Sequence, residues 1–187
     1  EYALKLAEKQ DADLLLATDP DCDRVGIAVA TDNDYKLMTG NEVGCLLLDY
    51  ILSNKRAAGT LPKNPIALKT IVTTGLASLI AGKFGCAVID VLTGFKYIGE
   101  QITLLQNEGQ EDRFVFGFEE SYGYLAGTHV RDKDAVVASM LICEMASYYK
   151  AQGKTLLDVL DELYSEHGAY INCIINAQFE GSQGLNT

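Results

Sequence analysis

The feature that most restricts the fold of this chain is a regular alternation of two hydrophobic patterns in its central part. Short apolar runs, typical of buried strands, are separated by longer segments with the spacing of amphipathic helices. The strand-like runs are "IALKTIVTT", "CAVIDVL" and "FVFGF", and the helical segments are "LASLIAGKFG", "YIGEQITLLQNEG" and "DAVVASMLICEMASYYKAQG". Strands that alternate with helices indicate a mostly parallel sheet covered on both faces. We therefore predict an α/β protein with a three-layer α/β/α architecture.

The segments on either side of this unit follow the same two patterns. Residues 2–9 are typical of a helix end, and "DLLLA", "RVGIAVA" and "KLM" favour short strands before Gly40. The next segment, "NEVGCLLLDYILSNKRAAG", has helical spacing, with Asn41 as the candidate N-cap and Gly59 as the candidate stop. A final helix follows Thr155. With 187 residues, 48% of them hydrophobic, the chain is long enough for one full domain and part of another.

Three aspartates interrupt the apolar pattern in "ATDPDCDRVGIAVAT", at every second position. A straight strand would place Asp19 and Asp23 about 13 Å apart, too far to hold one ion together. The chain must therefore turn near Asp21, and Pro20 favours a turn. Clustered carboxylates repel one another, and the neighbouring Arg24 supplies only a single positive charge. The loop therefore calls for a further cation.

A solvated acidic turn and a divalent-cation site are both compatible with this loop. An EF-hand is excluded, because Arg24 and Ala30 stand where that loop needs Gly and Glu. Zinc is disfavoured, since Cys22 has no His or second Cys beside it. An all-oxygen site with room for water or substrate suits Mg²⁺.

Three further polar loops follow predicted strands. They are "TTG" (73–75), "TGFK" (93–96) and "EESYG" (119–123). Open α/β sheets bind ligands at the carboxyl ends of their strands, so we expect one crevice to collect these loops and the aspartates. Glu119 and Ser121 would point the same way at the surface of this crevice and could hold a polyol, although a solvated turn has the same pattern.

Basic residues gather just before the helix that starts "DAVVASM". His129, Arg131 and Lys133 precede it, and either Asp132 or Asp134 could cap it. Positive charges at a helix start oppose the helix dipole, so a bound anion explains them better than helix stability does. His129 taken alone is typical of a structural histidine.

The charge balance excludes several classes of partner. The chain has 26 acidic and 15 basic side chains, giving a net charge of -11. We therefore expect neither nucleic acid nor an anionic membrane as a partner. No apolar stretch reaches membrane-spanning length.

The cysteines are scattered and mostly lie in apolar runs, so we expect reduced core residues in a cytoplasmic protein; they are Cys22, Cys45, Cys86, Cys143 and Cys173.

The motifs resemble those of the α-D-phosphohexomutases, the superfamily of phosphoglucomutases and phosphomannomutases. The ordered set is "TDPDCDR", "TGFKYIG" and "GFEESYG" followed by "VRDKDA". The likeness extends from Leu14 to about Gly181 and is greatest to the long bacterial phosphoglucomutase-like group. It implies that residues 1–40 form the end of the family's second domain, 41–168 its sugar-binding third domain, and 169–187 a linker toward the fourth.

The same resemblance implies roles for individual residues. The expected Mg²⁺ ligands are Asp19, Asp21 and Asp23. Arg24 would lie beside a phosphoserine site, and Lys133 would lie close to the substrate, in a position for proton transfer. The complete set of expected substrate-binding residues is Thr93, Gly94, Lys96, Glu119, Ser121 and Arg131.

Members of this family pass a phosphoryl group between an active-site phosphoserine and a sugar phosphate, through a bisphosphorylated sugar. Neither a "TASHNP"-like phosphoserine loop nor an "RxSGTEP"-like phosphate loop occurs in these 187 residues. We therefore expect a fragment of a mutase for glucose or mannose 1- and 6-phosphates, inactive without the other domains of its parent chain. A stand-alone Mg²⁺-dependent phosphatase that uses Asp19 and Asp21, and a non-catalytic sugar-phosphate-binding module, are the alternatives.

Overall fold

A computed structural model describes residues 2–173 of the chain and confirms the α/β class. Its elements, in chain order, are α1 (Tyr2–Gln10), β1 (Leu14–Thr18), β2 (Val25–Ala30), β3 (Tyr35–Met38), α2 (Gly40–Ala57), β4 (Ile66–Thr70), α3 (Leu76–Gly82), β5 (Ala87–Val91), α4 (Phe95–Asn107), a 3₁₀ turn (Glu111–Arg113), β6 (Phe114–Phe118), β7 (Tyr124–Leu125), α5 (Ala135–Lys150) and α6 (Leu156–His167).

The strands form two sheets with different hydrogen-bonding patterns. The smaller sheet has the order β1-β2-β3 and is antiparallel throughout. The larger sheet has the order β5-β4-β6-β7, with the first three strands parallel and β7 antiparallel to β6. The mostly parallel sheet is therefore confirmed for the second part of the chain. The strands around the aspartates pair antiparallel because a short loop, and no crossover helix, joins them.

Strand β4 shows how the larger sheet is covered. Ile66 and Leu68 belong to one apolar cluster, whereas Ala67 belongs to another. Successive strand residues point to opposite faces, so each cluster lies on one face of the sheet. Helix α4 contributes Ile98 and Ile102 to the first cluster, and helices α2, α3, α5 and α6 contribute to the second. The predicted three-layer arrangement is therefore present.

The second cluster also contains side chains from the smaller sheet. Val25, Ile27 and Val29 of β2 lie in the same core as Leu47 of α2 and Ile142 of α5. The two sheets are therefore held together by one continuous apolar core. Burial of each such side chain contributes about 1.5–3 kcal/mol, so the packing between the sheets is substantial.

The predicted division of the chain stays a prediction, both for the boundary after residue 40 and for the segment 169–187. Residues 169–173 are in neither a helix nor a strand. The remainder of that segment, 174–187, lies outside the described residues.

The structure corrects the start of α2. Its N-cap is Thr39 rather than Asn41: the Thr39 hydroxyl accepts from the Glu42 amide, and the Glu42 carboxylate accepts from the Thr39 amide. Asn41 instead accepts a hydrogen bond of 3.0 Å from the amide of Thr74, which connects α2 to the loop after β4. Gly59 lies just past the end of the helix with a φ of 69°, as expected for a stop.

Two expectations from composition can be compared with the structure. All five thiols are free, but only Cys45 and Cys86 are buried, while Cys22 is half-buried. The expectation of core residues is wrong for Cys143 and Cys173, which are exposed. Among the described helices, none combines the length and the apolar character needed to cross a bilayer.

Candidate active site

The aspartate loop, residues 19–24, connects β1 to β2 and curls back on itself. Asp19 Oδ1 accepts hydrogen bonds from the backbone amides of Asp23, at 3.1 Å, and Arg24, at 3.0 Å. The amide of Cys22, which has a φ of 58°, donates to the Asp19 carbonyl at 3.1 Å. One oxygen from each aspartate lies within 4.8 Å of the other two. The predicted turn therefore brings the carboxylates to a separation that one cation can span.

The charges of this loop are only partly balanced by the described part of the chain. The Nζ of Lys133 lies 2.7 Å from Asp23 Oδ2. The other Asp23 oxygen, Oδ1, is buried and has no hydrogen-bond partner between residues 2 and 173. The amide of Arg24 is the main reason why the pKa of Asp19 lies below its ordinary value. Carboxylate oxygens, one of them buried and unpaired, are a donor set that fits a hard divalent cation such as Mg²⁺.

The EESYG loop, residues 119–123, joins β6 to β7. The Glu119 amide donates to the Gly123 carbonyl at 3.0 Å and closes the loop. The expectation that Glu119 lies at the surface is wrong, because the residue is only 4% exposed. Burial raises the pKa of its carboxyl, while a hydrogen bond with the Ser121 side chain and the charge of Lys133 oppose that shift.

The second carboxylate of this loop has different partners. Glu120 Oε2 lies 3.1 Å from Thr70 Oγ1 and 3.2 Å from Thr73 Oγ1. The sequence pattern predicts that β4 continues to Thr74, but the Thr73 amide bonds to the Thr70 carbonyl at 3.0 Å and turns the chain there. Glu120 therefore connects the EESYG loop to the end of β4.

The aspartate loop and the EESYG loop meet along their backbones. The amide of Val25 donates to the carbonyl of Tyr122 at 3.2 Å, and Arg24 forms an isolated antiparallel bridge with Gly123. On the other side, Gly40 approaches so closely that a Cβ there would lie 2.1 Å from a carbonyl oxygen of the EESYG loop. The predicted gathering of polar loops is therefore found for these two and for the TTG loop, whose Thr73 contacts Glu120.

Lys133 lies where the two loops meet. Its Nζ contacts Asp23, and also Asp132 at 3.2 Å. A Cβ added to Gly123 would lie 2.8 Å from both Lys133 Cδ and Glu119 Oε1, so both side chains lie against that glycine. Burial lowers the pKa of Lys133, but hydrogen bonds with the two aspartates outweigh it and leave the pKa above its ordinary value. The ammonium is therefore charged at neutral pH.

The TGFK loop approaches Lys133 through its buried phenylalanine. The ring centroid of Phe95 lies 6.0 Å from the Lys133 Nζ. Gly94 has a φ of 119°, which favours glycine. Thr93 and Lys96 are exposed. The Lys96 Nζ lies 4.9 Å from the ring centroid of Tyr97. Their role as sugar ligands stays a prediction.

Arg131 is bound to α4 and to its own loop. Its guanidinium donates to Thr103 Oγ1 at 3.3 Å, to the Gln106 side chain, and to the Thr128 carbonyl at 2.5 Å. These bonds brace the loop before α5 against α4. The role of Arg131 in substrate binding stays a prediction.

The chain itself supplies the anions expected before α5. His129 Nε2 lies 3.0 Å from Asp134 Oδ2, and Lys133 is paired with Asp23. Asp134 is also the N-cap of α5, because its Oδ1 accepts from the amide of Val136 at 2.9 Å. A bound anion is therefore not required to explain His129 and Lys133.

Comparison with known proteins identifies the family to which the chain belongs. Residues 39–167 match the family described as phosphoglucomutase/phosphomannomutase, alpha/beta/alpha domain III. The chain belongs to this family. A phosphoglucomutase of Staphylococcus epidermidis is 41% identical over 186 residues, which cover 98% of this chain and 33% of that relative. This chain thus spans about a third of the length of the curated relatives it matches.

Solved structures of other mutases share the fold. A putative phosphomannomutase from Thermus thermophilus superposes with a TM-score of 0.63 at 25% identity, over 83% of this chain and 31% of that one. An Aspergillus fumigatus N-acetylphosphoglucosamine mutase, solved with glucose 1,6-bisphosphate, has a TM-score of 0.53 at 18% identity, over 87% of this chain and 36% of that one.

In this member of the phosphoglucomutase/phosphomannomutase family, sequence reasoning missed two features of the site. Neither the Lys133–Asp23 pair nor the contact of Glu120 with the end of β4 has a local signal, because each joins distant parts of the chain. The structure also contains a cavity of about 610 Å³ beside the EESYG loop, lined in part by Ser121 and Tyr122 and by the start of α2.

Proposed function

We propose that this chain provides the metal-binding and sugar-binding loops of a hexose phosphate mutase. The observation that carries the proposal is the position of Lys133, which contacts Asp23 of the aspartate loop while its stem lies against Gly123 beside Glu119. A reaction that moves a phosphoryl group to and from a sugar needs a cation site and a hydroxyl-binding site next to each other. Membership of the phosphoglucomutase/phosphomannomutase family supports the same reaction.

The residues divide the work by chemistry. Asp19, Asp21 and Asp23 would hold Mg²⁺, which when bound supplies positive charge to stabilise the transferring phosphoryl group. The nearby Arg24 is exposed and would bind a phosphoryl oxygen of the phosphoserine. Lys133 holds one metal ligand in place and keeps a charged proton donor beside the sugar loop.

Glu119 and Ser121 would bind the sugar hydroxyls. A carboxylate accepts hydrogen bonds from two hydroxyls, and such charge-assisted bonds are about twice as strong as neutral ones. The substrate is a hexose 1- or 6-phosphate, with glucose ahead of mannose because the curated relative is named phosphoglucomutase. The other partners of this chain would be the remaining domains of a longer enzyme, which supply the phosphoserine. The proposal includes no nucleic acid or membrane partner. A cytoplasmic location stays part of the proposal.

A chimera tests this function. The matching third of the Staphylococcus epidermidis relative is replaced by this chain, and conversion of glucose 1-phosphate to glucose 6-phosphate is measured with and without Mg²⁺. We expect Mg²⁺-dependent conversion by the chimera and none by the chain alone. Replacing Asp19, Asp21 and Asp23 with Asn should abolish conversion, whereas Asp112→Asn, at an exposed position, should not. A folded chimera that shows no conversion would count against the proposal.

Two other functions have distinct readouts. A stand-alone phosphatase would use Asp19 as a nucleophile, but Asp19 Oδ1 already accepts from two backbone amides. Hydrolysis of p-nitrophenyl phosphate by the chain alone would favour that function. A non-catalytic module would bind glucose 1-phosphate in calorimetry while the chimera stays inactive.

A further inference from the structure

The two adjacent carboxylates of the EESYG loop have different surroundings. Glu119 lies with Ser121 and Lys133, whereas Glu120 lies between the hydroxyls at the end of β4. We propose that Glu120 is a positioning residue, which fixes Glu119 and Ser121 by anchoring their loop to Thr70 and Thr73. The inference rests on the proposed sugar-binding role of this loop and identifies what holds the loop in shape.

The anchor is itself buried and fixed. Lys69 is 3% exposed, Thr70 0% and Thr73 4%. The Lys69 Nζ lies 3.4 Å from the Thr70 carbonyl oxygen, 3.2 Å from the Thr73 carbonyl oxygen and 3.0 Å from Asp90 Oδ1. A buried ammonium therefore holds the turn that presents both hydroxyls. Buried polar groups cost free energy when they lose their partners, so this turn has few alternative conformations.

The hydroxyl protons explain why the residue at position 120 must accept. Thr70 Oγ1 and Thr73 Oγ1 lie 2.7 Å apart, and each also lies close to Glu120 Oε2. Two hydroxyl protons are available for these three contacts, so either both hydroxyls donate to Glu120, or one donates to the other and that one donates to Glu120. An oxygen of the Glu120 side chain accepts in either arrangement, and a Gln carbonyl oxygen could accept in the same way.

Anchoring Glu120 restricts both of its chain neighbours. Glu119 and Ser121 are each one residue away, so the positions of their backbones follow from that of Glu120. Small displacements of groups that hold a substrate reduce catalysis strongly, because binding geometry is lost. The contacts of Glu120 would thus keep Glu119 and Ser121 in place for a bound hexose 1-phosphate and for a bound hexose 6-phosphate.

The test removes the anchor without changing the EESYG loop. Thr70→Val combined with Thr73→Val keeps the shape of both side chains and removes both hydroxyls. In the chain, we expect amide hydrogen exchange at Ser121 and Tyr122 to accelerate about tenfold, because one to two hydrogen bonds are lost. Calorimetric binding of glucose 1-phosphate should weaken by a similar factor. Glu120→Gln in the otherwise wild-type chain should keep both properties near their wild-type values, because the Gln carbonyl oxygen still accepts from the two hydroxyls.

A control separates anchoring from general loss of stability. Thr31→Val removes a hydroxyl that closes a turn with Asp34, remote in sequence from the EESYG loop. It should lower the melting temperature and leave the exchange of the loop amides unchanged. If the double valine variant does not fold, Thr73→Val alone gives the same comparison with one hydroxyl retained.

The outcomes distinguish this inference from the proposed function. Loop exchange within a factor of two of wild type in the valine variants would overturn the role of Glu120. Accelerated exchange, together with a wild-type chain that does not bind glucose 1-phosphate, would support the anchor and count against the sugar-binding function.

Discussion

The aspartate loop and the EESYG loop lie side by side, yet their charges are balanced in opposite ways. In the aspartate loop three carboxylates lie within 4.8 Å, and one buried oxygen of Asp23 has no partner among residues 2–173. In the EESYG loop Glu119 and Glu120 are both paired with hydroxyl groups. The first loop keeps negative charge that the described residues leave unbalanced, and the proposed function assigns an external cation to it. The second loop is held by hydrogen bonds from the chain itself. A single site thus combines an electrostatically incomplete part with a preorganised part.

The largest effect should come from breaking the close packing of the EESYG loop. In Gly40→Ala, the new Cβ would lie 2.1 Å from the Glu120 carbonyl oxygen and 2.8 Å from the Tyr122 amide nitrogen. We expect a loss of about 3 kcal/mol in the free energy of unfolding, measured by urea denaturation, because a backbone must move.

Gly82→Ala is the matched control, since it adds a Cβ to a helix where no atom lies within 4 Å. That variant should gain about 0.5–1 kcal/mol, because Ala favours helix more than Gly does. Equal effects of the two variants would contradict the close approach at Gly40.

The next effect concerns the charge in the preorganised part. Glu119→Gln in the chimera keeps the shape and removes the charge, so kcat/KM should fall about tenfold to a hundredfold, or about 1.5–3 kcal/mol. Glu108→Gln, at an exposed position outside the site, should leave kcat/KM unchanged. An efficiency of Glu119→Gln within a factor of two of the parent, in both directions of the reaction, would show that this carboxylate does not hold the sugar.

A smaller effect on stability is expected in the aspartate loop, whose charges are not balanced within the described chain. Asp21→Asn removes one of three repelling charges, so without metal the chain should become more stable by about 0.5 kcal/mol. Its Mg²⁺ affinity in calorimetry should fall at least tenfold, because a ligand is lost. Asp112→Asn should change neither quantity. If Asp21→Asn lowered the free energy of unfolding in the presence of a chelator, contacts of the Asp21 carboxylate would have to stabilise the loop, contrary to this prediction.

The smallest effect should appear in the pH dependence of stability. Burial raises the pKa of Glu119 above the ordinary value of 4.5, so the folded chain binds this proton more tightly than the unfolded chain. Its contribution to stability is present below the unfolded pKa and is lost as pH rises through the folded pKa. The unfolding free energy of Glu119→Gln minus that of wild type should therefore increase between about pH 4 and pH 7. Urea titrations would contradict this if the difference fell or stayed constant.

The fold could be predicted because its strands and helices have different hydrophobic periods, as in the segments from β4 to α5. The N-cap of α2 was also encoded locally: Thr39 and Glu42 have the spacing of a capping box, whereas Asn41 alone looks equally suitable. Three positions after Asn41 stands Gly44, which has no side chain to complete a capping box, so the pair and not the single residue marks the N-cap.

The site was less accessible to sequence reasoning. The spacing of the three aspartates predicts a metal loop, but the surroundings of Glu119 include Lys133, which lies further along the chain beyond β7. Arg131 could not be separated from Lys133 by sequence, since both precede α5, and only the three-dimensional path shows that Arg131 bonds to α4. Long-range pairing leaves no local pattern.

The bridge between Arg24 and Gly123 has a consequence for how this protein can change over time. It joins the aspartate loop, which precedes residue 39, to the EESYG loop inside the matched segment 39–167, across the limit of the family domain. A substitution that shifts either backbone alters the other, so the two positions are not free to drift independently. We expect positions 24 and 123 to covary among relatives. We also expect recombination at residue 39 to give a folded protein only when the aspartate loop of one parent fits the EESYG loop of the other.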